Sequence, residues 1–271
     1  MTTLLSVAQM SSQESIEENL QNVEQLIQQS VAIGSKLVVF PENFICFASG
    51  LQLKTAAMFE MIQARLEKLA HQYQIWLIAG TLPCPFRPDG TVVPNGRVRT
   101  TSLCISPEKT EARYDKIHLF DVKVSDHVGG YQESKYFEPG DQLVTVNTPF
   151  GMLGLMVCYD LRFPELALKL RQQGADILTV PAAFTHTTGQ KHWQLLLQSR
   201  AVDTQCYVLG AGQTGWHGNR QTWGHSAIVN SDGQVLEVTQ ENNALITQNF
   251  DLEMQQHIRQ SMPLLQHRRL N

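Results

Sequence analysis

Short apolar runs alternate along this chain with segments whose apolar residues recur every three to four positions. Leu4 to Ala8 reads as a first strand. Ser15 and Glu18 then stand at capping-box spacing, and Ile16, Leu20, Val23 and Ile27 fall on one helical face. Gly34 suits the C-cap of that helix, and Leu37-Val38-Val39-Phe40 reads as a short buried strand. The theme returns as a helix around Ala56 to His71 and a strand over Ile75 to Ala79.

Pro83 to Gly96 is rich in proline and glycine and reads as a surface connection; Val98 to Ser106 and Glu111 to Tyr114 read as a hairpin pair. Between Asp115 and Asp141 lies a long irregular segment, and a loop that long in a compact domain is more often functional than idle. The second half repeats the rhythm. Met152 to Val157 is a strand, Pro164 to Gln173 a helix closed by Gly174, and Ile177 to Val180 a strand. His192 to Thr204 follows as a helix and Tyr207 to Ala211 as a strand. From His225 to Phe250, strand-like runs flank the Ser231-Asp232-Gly233 turn. With no repeat, low-complexity tract or linker, residues 1–271 read as one α/β domain of sheets covered by helices.

Composition narrows the function classes. Hydrophobic residues make up 42% and charged residues 17%, the balance of a packed globular protein. A net charge of -4 argues against nucleic acid as a partner. No apolar run approaches the roughly 18 residues of a membrane span. The N-terminal segment lacks the basic and apolar stretches of a signal peptide, so no membrane partner and a cytoplasmic location are expected. The cysteines 46, 84, 104, 158 and 206 form no CxxC pair, which leaves neither metal-ligand spacing nor a disulfide framework and fits a reducing compartment.

Cys158 sits where an apolar strand gives way to Tyr159-Asp160-Leu161-Arg162-Phe163-Pro164, with Pro164 suited to the first turn of a helix. A thiol at such a strand-to-helix turn reads either as a nucleophile near helix amides or as an inert buried cysteine. Glu42 follows a buried strand and meets mostly apolar neighbours, so it is a proton-transfer carboxylate or a turn cap. Lys116, with apolar neighbours on both sides, is an oxyanion partner or an ordinary solvated lysine. Glu133 alone reads as a surface residue of the long loop. A rival Cys-His pair would draw on His118, His127, His192 or His225, none in a context that marks a base. No G-x-S-x-G, Gly-rich phosphate loop or H-E-x-x-H occurs.

Taken together, Pro41-Glu42-Asn43, Tyr114-Asp115-Lys116-Ile117-His118-Leu119-Phe120-Asp121 and Cys158-Tyr159-Asp160-Leu161-Arg162-Phe163-Pro164-Glu165 resemble the signature of the nitrilase, or carbon-nitrogen hydrolase, superfamily. The resemblance implies an α-β-β-α four-layer sandwich that pairs across its helices into a homodimer. It implies Glu42 as base, Lys116 as oxyanion stabiliser and Cys158 as nucleophile. Glu133 then helps to position the lysine and the substrate, and the Tyr159 N–H assists at the oxyanion. No metal or organic cofactor is implied; the partners are a small amide and water.

Within the superfamily, Thr187-Thr188-Gly189, His192-Trp193, Ser199-Arg200-Ala201-Val202-Asp203-Thr204-Gln205-Cys206-Tyr207-Val208 and Gln266-His267-Arg268-Arg269 resemble a small-amidase branch. It holds the amidases of deaminated glutathione and the omega-amidases of α-ketoglutaramate. The reaction implied is cleavage of a small carboxyamide to acid and ammonia through a thioester, with deaminated glutathione the first substrate and α-ketoglutaramate the alternative. A nitrilase or a redox-sensing thiol protein are further alternatives. Gln190-Lys191 departs from the branch, which usually has Pro-Ala there, and Lys191 is a candidate for attracting a substrate carboxylate. Phe184, Thr185, His192 and Trp193 are expected to line the pocket with Tyr159. Arg162 and Arg200 read as carboxylate binders or as members of buried salt bridges.

Overall fold

The computed structural model describes residues 2–126 and 128–270; His127, one of the histidines weighed as a base, lies outside them. The first half opens with strand β1 (Thr2–Gln9), helix α1 (Ile16–Ala32) and β2 (Leu37–Val39). Helices α2 (Gln52–Ala56) and α3 (Phe59–Tyr73) lead to β3 (Trp76–Cys84). β4 (Arg99–Ile105) and β5 (Thr110–Asp115) follow. β1, β2 and β3 run parallel, and β4 and β5 add an antiparallel edge.

The expected irregular stretch after Asp115 holds a small hairpin, β6 (Asp121–Lys123) with β7 (Gly130–Gln132). The second half then runs β8 (Thr145–Thr148), β9 (Gly151–Leu155), α4 (Pro164–Gln172), β10 (Ile177–Ala182), α5 (His186–Thr204) and β11 (Tyr207–Gly212). A second hairpin, β12 (Thr214–His217) with β13 (Arg220–Trp223), precedes β14 (Ala227–Val229), β15 (Val235–Val238) and β16 (Ala244–Asp251). Helices α6 (Leu252–Ser261) and α7 (Leu264–His267) follow.

Two six-stranded sheets result, ordered β16-β1-β2-β3-β4-β5 and β15-β14-β11-β10-β9-β8. β16 leaves the second half to pair antiparallel with β1, Thr2 opposite Asp251 and Gln9 opposite Ala244. The sheets stack face to face with helices outside, as the α-β-β-α expectation has it. Alternation within β2 explains the layering: Leu37 and Val39 join the core between the sheets, whereas Val38 joins the core under α1 and α3. Both faces are covered, which is why the run reads as continuously apolar. Among the described residues no helix is long and apolar enough to cross a membrane.

Four elements differ from the sequence expectations. The helix around Ala56 to His71 is two helices, α2 and α3. α5 starts at His186 rather than His192, because the Thr185 hydroxyl caps it by accepting the Thr188 N–H at 3.3 Å. The β12–β13 hairpin and α6 were not expected. The Asp251 side chain caps α6. Arg259 fastens that helix to the second sheet through Asp176 at 2.6 Å and the Ala175 carbonyl at 3.1 Å.

Candidate active site

A cavity of about 360 Å³ opens where chain segments leave β2, β5 and β9, a size usual for small-molecule sites. Glu42 follows β2, Lys116 follows β5 and Cys158 follows β9; all three line it, together with Glu133. Each is held by the backbone around it. Next to Glu42, Asn43 adopts φ +58° and donates its N–H to the Thr81 hydroxyl at 2.9 Å. The Lys116 N–H donates to the Thr100 carbonyl at 2.9 Å, and its own carbonyl accepts the Gly140 N–H at 2.8 Å. A Cβ at Gly140 would stand 2.1 Å from the Asp115 carbonyl oxygen, so this close approach requires glycine.

Cys158 itself has φ +50°, left-handed backbone that a β-carbon disfavours. Strain of this kind persists only where surrounding bonds impose it. Buried Asp160 does so, accepting the Val157 N–H at 3.0 Å and the Tyr114 hydroxyl at 2.7 Å on one oxygen. On its other oxygen it accepts the His118 N–H at 3.0 Å and faces His118 Nδ1 at 2.7 Å. One carboxylate therefore ties the turn bearing the thiol to the segment bearing Lys116.

The Lys116 ammonium is 2% exposed. It donates to Glu42 Oε1 at 2.9 Å and to both oxygens of Glu133 at 3.0 and 2.9 Å. Glu133 also accepts the Phe120 N–H at 2.6 Å. Burial works against the charge on Lys116, but the Glu133 and Glu42 carboxylates hold its pKa well above the ordinary value. Burial raises the Glu133 carboxyl, with Lys116 opposing and Glu42 adding to the rise. Burial and the neighbouring Glu42 carboxylate likewise push the Cys158 thiol well above its usual range, against the pull of Lys116. The site thus holds a protonated thiol beside a carboxylate and a fixed cation.

Of the expected pocket residues, Tyr159, Phe184 and Thr185 line the cavity and His192 and Trp193 do not. Trp193 is 1% exposed, packs on Phe184 and donates its indole N–H to the His225 carbonyl at 2.7 Å, which makes it core. His192 stands behind Arg162, 3.3 Å from its guanidinium. Lys191 is exposed and lies off the cavity. Arg200 pairs with Asp203 and donates to the Leu161 carbonyl, the structural role. Arg162 lines the cavity over the rings of Tyr159 and Phe184 and has no carboxylate partner among the described residues. His118 pairs with Asp160 and stacks on Phe163, and His225 stacks on Trp223; neither lines the cavity, so neither supplies the Cys-His pair.

The β12–β13 hairpin supplies Arg220, Gln221 and Thr222 to the wall, which the sequence expectations missed. The Trp223 N–H donates to the Phe184 carbonyl at 3.0 Å, docking the hairpin beside the thiol. A Cβ at Gly189 of α5 would stand 2.3 Å from the Trp223 Cβ, so helix and hairpin touch through a residue with no side chain. His217 is buried with its ring nitrogens on the Ser12 carbonyl at 2.7 Å and the Thr222 hydroxyl at 2.9 Å. Burial lowers its pKa to about 4, so the imidazole is neutral. The signal for the hairpin was present: Gly218-Asn219 between two short runs is a two-residue turn.

Residues 4–260 match the family described as carbon-nitrogen hydrolase. The chain is 38% identical over 270 residues to the deaminated glutathione amidase of Yersinia enterocolitica, covering 98% of this chain and 92% of that one. It is 40% identical over 271 residues to the deaminated glutathione amidase of a Synechocystis species, covering 98% and 97%. Among solved structures it is similar to Saccharomyces cerevisiae Nit3, described as a member of branch 10 of the nitrilase superfamily. That likeness has a TM-score of 0.85 at 28% identity and covers 99% of this chain and 97% of Nit3.

Proposed function

This chain belongs to the carbon-nitrogen hydrolase family, and on that footing we propose that it cleaves a small amide through a thioester on Cys158, with deaminated glutathione as substrate. One observation carries the proposal: the Cys158 thiol, the Glu42 carboxylate and the Lys116 ammonium converge in one cavity. Its pKa raised, the thiol is protonated at neutral pH and needs a base; Glu42 takes its proton as sulfur attacks the carbonyl carbon. Lys116, already charged and already oriented, meets the oxyanion together with the Tyr159 N–H. Glu42 returns the proton to the departing nitrogen, leaving the thioester. It then takes a proton from the water that releases the acid, and gives it back to the thiolate. Glu133 accepts from Lys116 through both oxygens and fixes the ammonium in place.

The expected product needs a chemical correction. Deaminated glutathione has only secondary amides, so the leaving nitrogen is an amine; ammonia is released only from the alternative, α-ketoglutaramate. Arg162, seated over two rings without a carboxylate partner among the described residues, suits the 2-oxo acid that both substrates share. A sensor role for the thiol fits less well, because sensor thiols are held low and this one is pushed up. The proposed homodimer is supported by α5, whose Leu195 and Val202 are 63% and 49% exposed on an outer helix.

The test follows product formation from deaminated glutathione and α-ketoglutaramate by mass spectrometry, with wild type and Cys158→Ala. Turnover of the first to an acid and an amine, lost in Cys158→Ala, supports the proposal. Turnover of α-ketoglutaramate alone shifts the assignment to the omega-amide, and turnover that survives in Cys158→Ala rejects the nucleophile.

A further inference from the structure

The cavity holds a second guanidinium that the proposed chemistry leaves unused. Arg65, Arg87, Arg99, Arg113, Arg200 and Arg259 each form an ion pair. Arg162 and Arg220 form none among the described residues, and both line the cavity. Arg220 is half-buried, with its guanidinium carbon 5.0 Å from the centre of the Tyr131 ring. Tyr131 is fixed in turn, its hydroxyl donating to Asp126 Oδ2 at 2.8 Å. A half-buried guanidinium parked on an aromatic face, with its N–H fork open to a cavity, is preorganised for a carboxylate.

The place of Arg220 says which end of the substrate it meets. The acyl part stays on Cys158, beside which Arg162 stands in the same turn. The leaving group has to depart first, and so lies beyond the turn that holds the acyl part. Arg220 lines the cavity from the first position of β13, next to Gln221 and on a different segment from the turn that bears Cys158 and Arg162. Gln221 and Tyr131 line both the main cavity and a second, polar one of about 400 Å³. The second cavity is walled by Ser125, Asp126, His186, Thr187 and Asn219, side chains that suit the hydrogen-bonding backbone of a peptide-like group more than an apolar one, while Arg220 supplies the cation for its carboxylate.

We propose that Arg220 binds a second carboxylate carried by the leaving amine, so that the preferred substrates are amides with a carboxylate on each side of the scissile bond. The proposal rests on the amidase reading above and deepens it, because α-ketoglutaramate lacks the second carboxylate and deaminated glutathione has it.

The test compares two amides of the same 2-oxo diacid, one formed with cysteinylglycine and one with cysteinyl-methylamide, which differ only in the distal carboxylate. Wild type is expected to favour the acid-ended amide in kcat/KM by about tenfold or more, the range of one charge-assisted hydrogen bond. Arg220→Gln brings that ratio close to one, mainly through KM, and Arg220→Lys keeps part of it. A ratio that survives in Arg220→Gln, or that wild type never shows while turning both amides over, overturns the role of Arg220 alone. If wild type hydrolyses neither, the deaminated-glutathione reading falls and this proposal with it.

Discussion

Lys116→Met is the perturbation that separates what the buried cation does for the fold from what it does for the chemistry. The ammonium makes three hydrogen bonds of 2.9 to 3.0 Å to two carboxylates inside the protein. Its removal leaves Glu42 and Glu133 facing each other without a counter-charge, a situation that costs about 3–5 kcal/mol when the group is buried. For a chain of this size that is a fall in Tm of roughly 6–10 °C. The loss has a signature in pH. Without Lys116 the Glu133 carboxyl, already raised by burial, loses the cation that opposes the rise, so its folded-state pKa stands further above the unfolded one; folding is least penalised at low pH and the penalty grows as pH rises. The Tm gap between wild type and Lys116→Met is therefore expected to be smaller at pH 5 than at pH 8. Adding Glu133→Gln removes one of the two charges and restores most of the Tm, while turnover stays lost because the oxyanion partner is gone. Thermal melts at both pH values, with amide hydrolysis in parallel, check all of this. A gap independent of pH, or a double variant as unstable as the single one, refutes the electrostatic account.

Glu42→Gln keeps the shape of the site and removes the base; turnover should fall on the order of 10²–10⁴-fold with Tm almost unmoved, and a rate within threefold of wild type rejects Glu42 as base. His217 is neutral when folded, with a pKa near 4 against an ordinary 6.5, so the unfolded chain takes up the proton first and stability falls as pH drops from 6.5 toward 4. That loss amounts to about 3 kcal/mol and is expected to vanish in His217→Asn; equal acid losses by urea midpoint at pH 7.5 and 4.5 in both proteins contradict it. Gly189→Ala forces α5 and Trp223 apart, which moves the hairpin wall and raises KM more than it lowers kcat; an unchanged KM shows that the wall does not move.

Much of the layered fold was legible because parallel strands carry their own signature. Runs such as Leu37 to Val39 and Ile177 to Val180 are apolar on both faces, and the helices between them repeat at helical spacing. The ends of such strands could also be found, and Glu42 and Cys158 stand there, with Lys116 at the end of the antiparallel strand β5. Their convergence could not be found from spacing, because it depends on two sheets stacking across residues far apart in sequence. Glu133 read as surface since its partner, Lys116, reaches it only through the fold. His192 and Trp193 looked alike as aromatic neighbours of the site. Helical geometry sends Trp193 into the core and leaves His192 behind Arg162. Arg220 was missed because its hairpin has only four residues to a strand, too few on either side of the Gly218-Asn219 turn to carry an apolar pattern.

The pairing of β16 with β1 sets a timetable for synthesis. Strand β1 leaves the ribosome long before β16, yet its outer edge is closed only when residues 244–251 arrive. Until then the first sheet ends in an open row of backbone donors and acceptors, the kind of edge to which another chain can add. Pairing over so long a separation also makes the closing step slow. From the synthesis of β1 to that of β16 a nascent chain therefore carries one sheet unfinished, and that is the interval in which a holding chaperone has something to protect.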